Sequence, residues 1–131
     1  MLYNLAADLL ISVSVQNGKI GTALEAAKLV GRTLTQRELT LLINACVAKG
    51  WFHDAVNSAR LANRSLSNDE IDKLIEACVL ECRISTAIEA ARLAKRSLTK
   101  QELVKLFDAY ARKGLFSDAL EAVKLLSQQE L

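Results

Sequence analysis

Apolar residues along this chain fall into columns that recur every 32 positions. Residues 1–32, 33–64, 65–96 and 97–128 align without a gap. One column reads Leu10, Leu42, Leu74, Leu106, and the next reads Ile11, Ile43, Ile75, Phe107. Alanine fills a third at Ala23, Ala55, Ala87 and Ala119, and leucine a fourth at Leu29, Leu61, Leu93 and Leu125. A fixed period of this length marks stacked units, each too small to bury its apolar face alone.

The polar positions divide each block into two helices. Thr35, Ser67 and Thr99 are followed three residues on by Glu38, Glu70 and Glu102. That is the capping-box spelling, in which side chain and backbone satisfy one another's free amides at a helix start. The preceding Leu34, Leu66 and Leu98 are placed to pack on Leu39, Ile71 and Leu103 as hydrophobic staples. The first helix is expected to end at Gly18, Gly50 and Gly114, where a left-handed residue turns the chain. Cys82 interrupts this column, and a Cβ there costs about 1 kcal/mol or more. A different turn is therefore expected in the third block. The second helix is expected to be capped by Thr22, Asp54, Thr86 and Asp118, with the alanine column in its first turn allowing close approach. Block one lacks the Thr/Ser-x-x-Glu start. At the other end Leu126-Ser-Gln-Gln-Glu-Leu131 repeats the staple-and-box spelling. It either finishes the last helix, with 129–131 as a tail, or opens a further repeat.

These features predict one all-α domain over 1–131, a right-handed α-solenoid of about four antiparallel helix-turn-helix repeats. Composition agrees: half of the chain is apolar (51%), a quarter is charged (24%), and proline is absent. The net charge of +2 is too small to require a polyanionic partner. Cys46, Cys78 and Cys82 are too few, and odd in number, for a disulfide framework, which points to a reducing, cytoplasmic setting. The apolar run from Leu9 to Val15 is broken by serines and too short for a bilayer, and no basic leader precedes it. No membrane attachment is expected.

Leu41-Leu-Ile-Asn-Ala-Cys-Val-Ala-Lys-Gly50 with Asp54-Ala55, and Leu106-Phe-Asp-Ala-Tyr-Ala-Arg-Lys-Gly114 with Asp118-Ala119, resemble tetratricopeptide and pentatricopeptide repeats. The resemblance covers nearly the whole chain. It implies a superhelix with a partner-binding inner surface. The period is shorter than the 34 residues of tetratricopeptides, and the proline near the end of both family repeats is missing. By register, the base-reading residue of pentatricopeptides would be Thr40, Asp72 and Val104. Valine there has nothing to offer a base.

The solvent side of the first helices is expected to line the concave face. Its residues are Arg37, Thr40 and Asn44; Asp69, Asp72 and Glu76; Gln101, Val104 and Asp108, flanked by Lys73 and Lys105. Asn44, Glu76 and Asp108 lean acidic, which suits a basic or polar peptide better than a phosphate backbone. An ordinary solvated face has the same spelling. A basic ridge, Lys28, Arg32, Arg60, Arg64, Arg92, Arg96 and Lys124, runs along the ends of the second helices. It reads as a track for an acidic partner or RNA, or as cations placed at helix C-termini by the macrodipole and neutralised by Glu25, Glu89 and Glu121.

Cys46 and Cys78 read as small buried side chains. No His or Cys cluster has metal-ligand spacing, and His53 has no evident carboxylate or nucleophile beside it. No catalytic residue, cofactor, metal or small-molecule substrate is expected. Trp51 is either an exposed partner anchor or packs on a neighbouring repeat.

The function expected is a protein-interaction scaffold that holds a peptide or protein on its concave face. The alternatives are a pentatricopeptide-like binder of single-stranded RNA and a docking or regulatory segment of a larger multidomain protein. Exposed end repeats leave homo-oligomerisation open.

Overall fold

The computed structural model describes residues 2–130. They form eight helices and no strand: α1 (Leu2–Gln16), α2 (Ile20–Leu29), α3 (Gln36–Ala48), α4 (Phe52–Leu61), α5 (Asn68–Leu80), α6 (Ile84–Leu93), α7 (Lys100–Arg112) and α8 (Phe116–Glu130). None of them is long and apolar enough to cross a membrane.

Capping boxes start α3, α5 and α7. At α5 the Ser67 amide donates to Glu70 Oε1 at 2.8 Å, and the Glu70 amide donates to Ser67 Oγ at 3.2 Å. Thr35/Glu38 and Thr99/Glu102 make the same reciprocal pair. The even-numbered helices start differently from the expectation. They begin two residues before Thr22, Asp54, Thr86 and Asp118, and Lys19, Trp51 and Arg83 occupy the N-cap positions without a side-chain cap. The reason lies in the preceding turn. The amides of Lys19, Trp51, Arg83 and Leu115 reach back to the carbonyls of Ser14, Cys46, Cys78 and Tyr110. These are the closing bonds of Schellman motifs. The residue that closes one helix is thereby already placed to open the next.

Cys82 does not change this turn. Its φ of 58° lies in the left-handed region beside Gly18, Gly50 and Gly114 at 71°, 72° and 74°. The closing bond and the hydroxyl of Tyr110, which donates to the Cys82 carbonyl at 2.7 Å, hold it there. A second left-handed column, Gly31, Asn63 and Lys95, closes α2, α4 and α6. In the last block α8 simply runs on. Ser127 Oγ donates to the Lys124 carbonyl within the helix, so the staple-and-box spelling of Leu126–Leu131 makes no new start over its described part. Leu131 lies outside the described residues.

Each odd-numbered helix packs on the even-numbered helix that follows it, and α1, α3, α5 and α7 also pack successively on one another. One apolar cluster runs through all eight helices. Ile11, Leu42, Ile43, Leu74, Ile75 and Leu106 are wholly enclosed in it, as are Ala23, Ala55 and Ala87.

Candidate functional site

The sequence places an arginine at each junction between blocks, and the three arginines make the same clamp. Arg32 Nη1 and Nη2 donate to Glu38 Oε1 and Oε2 at 2.9 and 3.0 Å. Arg64 holds Glu70 at 2.9 Å through both nitrogens, and Arg96 holds Glu102 at 3.1 Å through both. Each arginine also donates to the carbonyl of the next residue, Thr33, Ser65 or Ser97. The glutamates are therefore shared between a capping box and a bidentate ion pair, the strong form of charge-assisted hydrogen bond. Hydrogen bonds from Arg32 and Arg64 bring the Glu38 and Glu70 carboxyls down to about 2, against partial burial. Burial pushes the Glu102 carboxyl up, but Arg96 and the Thr99 amide outweigh it and hold it below the usual range.

This arrangement reassigns part of the basic ridge. Arg32, Arg64 and Arg96 are structural clamps, while Lys28, Arg60, Arg92 and Lys124 remain exposed. The expected neutralisation by Glu25, Glu89 and Glu121 is not formed: among the described residues no ion pair joins them to Lys28, Arg92 or Lys124. The clamp was spelled three times as Arg-Thr/Ser-Leu-Thr/Ser-x-x-Glu. In sequence alone the arginine reads equally well as a cation at the end of a helix.

All nine predicted concave residues are exposed. A groove of about 580 Å³ between α5 and α7 brings Asp72 and Glu76 together with Gln101. Lys105 lines its other side and Leu80, 74% exposed, forms an apolar lip. Arg37, Thr40, Asn44, Asp69, Val104 and Asp108 lie outside this groove, although Asp69, Val104 and Asp108 are on the helices that form it. Thr40 Oγ1 is turned back onto the Gln36 carbonyl, and Asp108 pairs with Arg112 at 3.0 Å.

Within the groove the charges divide into saturated and free. Asp72 accepts from Arg96 at 3.3 Å, so one guanidinium joins α5 to the start of α7. Arg32 likewise reaches Asp8 of α1 at 3.5 Å while it holds Glu38. Glu76 and Lys105 have no ion-pair partner among the described residues. They stand as an acceptor and a donor available to a ligand. Leu80 was missed because its column, Gln16, Ala48, Leu80, Arg112, has no consistent character.

The remaining singled-out residues serve packing. Trp51 is half-buried, its ring set against Gly18 and flanked by Lys19 at 4.9 Å and Lys49 at 4.6 Å. Of the two readings of Trp51, this geometry matches packing on the preceding repeat. Cys46 and Cys78 are enclosed, and their thiols reach the carbonyls of Gly18 and Gly50 at 3.6 Å. Burial pushes the Cys46 thiol up to about 11, far from a reactive thiolate. Tyr110 follows in the same column and makes the corresponding bond to Cys82. Contrary to expectation, His53 has a carboxylate nearby: Glu89 Oε2 lies 3.8 Å from its Nε2, at an exposed position. Among the described residues no group of three or more His, Cys, Asp or Glu is arranged to hold a metal ion.

No protein-family model matches the chain. No curated protein and no solved structure matches it significantly.

Proposed function

We propose that this protein is an interaction scaffold, a right-handed solenoid of four antiparallel helix-turn-helix repeats that holds an extended peptide between α5 and α7. The successive packing of α1, α3, α5 and α7 supports a curved array with these helices on the inner side. The observation that carries the reading is the free Glu76 and Lys105 across a groove lipped by Leu80, while the surrounding charges are already paired. A peptide offering a basic residue to Glu76, a backbone carbonyl or acidic group to Lys105 and an apolar side chain to Leu80 matches these three features. The three cysteines are free thiols, which fits a reducing compartment, and we place the protein in the cytoplasm.

RNA binding along the ridge is the second reading, and three of its seven cations are engaged by carboxylates. The four that remain would give a shallow salt dependence.

Selection of a displayed random-peptide library on the immobilised chain tests the scaffold. Enriched peptides should carry a basic and an apolar residue close together, and should shift the backbone amide resonances of α5 and α7. Glu76→Lys and Leu80→Asp should each weaken binding at least about tenfold, or about 1.4 kcal/mol. Full binding by both folded variants would remove the groove from consideration.

A further inference from the structure

Two repeated features meet on the side of the even-numbered helices. These helices make no packing with one another comparable to that of α1, α3, α5 and α7. Slots of about 570, 440 and 360 Å³ open instead between α2 and α4, between α4 and α6, and between α6 and α8. All three have the same construction. A leucine of the later helix walls each one: Leu61 and Leu93, 48% and 49% exposed, and the half-buried Leu125. An aliphatic residue of the earlier helix, Leu24, Val56 or Ile88, also lines each. A cation from the last turn of that helix, Lys28, Arg60 or Arg92, completes the slot. The clamp arginine borders it too, but that charge is spent on a glutamate. Lys28, Arg60 and Arg92 have no carboxylate partner among the described residues. No Asp or Glu among the described residues lines any of the slots. A leucine that repeats without being buried and a cation that repeats without being neutralised are therefore parts of one surface.

We propose that these slots dock an acidic amphipathic helix of a partner protein, one apolar side chain per slot with a carboxylate against the adjoining cation. The occupant follows from charge and spacing. Each slot offers apolar walls beside an unpaired positive charge and no negative one, so its complement is an apolar side chain with an acidic neighbour. The slots recur once per block, and because packed helices lie 8–10 Å apart, successive slots are on the order of 10 Å apart. Two turns of an α-helix advance about 10.5 Å, so residues seven apart on a helix meet successive slots. Alternate residues of an extended strand advance only about 6.6 Å. A phosphate backbone would satisfy the cations and leave the leucines uncovered. The spacing rests on the proposed solenoid. The surface is distinct from the α5–α7 groove, which suits the opposite charge; Arg96 borders both and is left untouched in the test.

A fluorescein-labelled synthetic helix with three leucines seven residues apart, each beside a glutamate, tests the docking by fluorescence anisotropy. The parent chain should bind it with micromolar affinity, and the amide resonances that shift should lie in α2, α4, α6 and α8. Leu93→Asp changes a wall of the middle slot and Arg60→Glu reverses its charge; each should weaken binding at least about tenfold. A peptide of the same composition with its leucines five residues apart, off a single helix face, should lose as much. Leu61→Asp and Arg92→Glu repeat the pair in the flanking slots should a first variant fail to fold, as judged by circular dichroism. No binding by the parent at about 1 mM overturns the proposal. So does binding lost in Arg60→Glu but kept in Leu93→Asp and by the respaced peptide, the pattern of a charge track that single-stranded RNA would use equally. Shifts confined to α5 and α7 would place the peptide in the other groove, overturning this docking and leaving that reading in place.

Discussion

Glu70 shows how much one side chain does at a junction. Its carboxylate closes the capping box with Ser67 and takes both nitrogens of Arg64. Gln keeps the box and loses the ion pair, so Glu70→Gln isolates the clamp. The substitution should cost about 1–3 kcal/mol at neutral pH. The folded-state carboxyl lies at about 2, below the ordinary value of 4.5. Its contribution is therefore fully present above about 4.5 and lost as pH falls toward about 2. Urea titrations across that window should show parent and variant converging in stability at the acid end. A difference that does not change with pH would contradict the role given to the charge. A second residue-scale effect concerns Lys95, at φ 57° in the column where Gly31 stands at 68°. Lys95→Gly should raise stability by about 1 kcal/mol, read as a higher melting temperature, because glycine adopts that conformation without steric cost.

Among the helices, what could be read in the sequence was whatever a local spelling encodes. Boxes and staples gave the starts of α3, α5 and α7, and Gly18, Gly50 and Gly114 gave the ends of the helices before them. The starts of α4 and α6 escaped because Trp51 and Arg83 become N-caps by backbone bonds alone, which side-chain preferences do not record. The column Ser14, Cys46, Cys78, Tyr110 looked like simple core filling. Its cysteine and tyrosine members also bond to the turn residue of the preceding block, a relation that needs the stack to be seen. Periodicity was not burial either: Leu29, Leu61 and Leu93 repeat faithfully yet remain exposed. The nine residues expected on a concave face are legible as exposed positions on the first helices. Which of them share a groove, and which charges are already spent, depended on Arg96 spanning from Asp72 to Glu102.

For the whole molecule, the proposed solenoid is a nearly one-dimensional stack, a reading supported by odd-numbered helices packing in succession and by one apolar cluster running along them. In such an array stability is close to a sum of units and nearest-neighbour junctions, so no single block is indispensable. Excision of residues 65–96 tests this most directly. It places Arg64 before Ser97 and restores the Arg-Ser-Leu-Thr-x-x-Glu clamp with Glu102. The shortened chain should stay helical by far-ultraviolet circular dichroism and melt cooperatively at a lower temperature than the parent. An unfolded or non-cooperative product would show a core that needs all four blocks, and would contradict the proposed stacked array on which the groove reading depends.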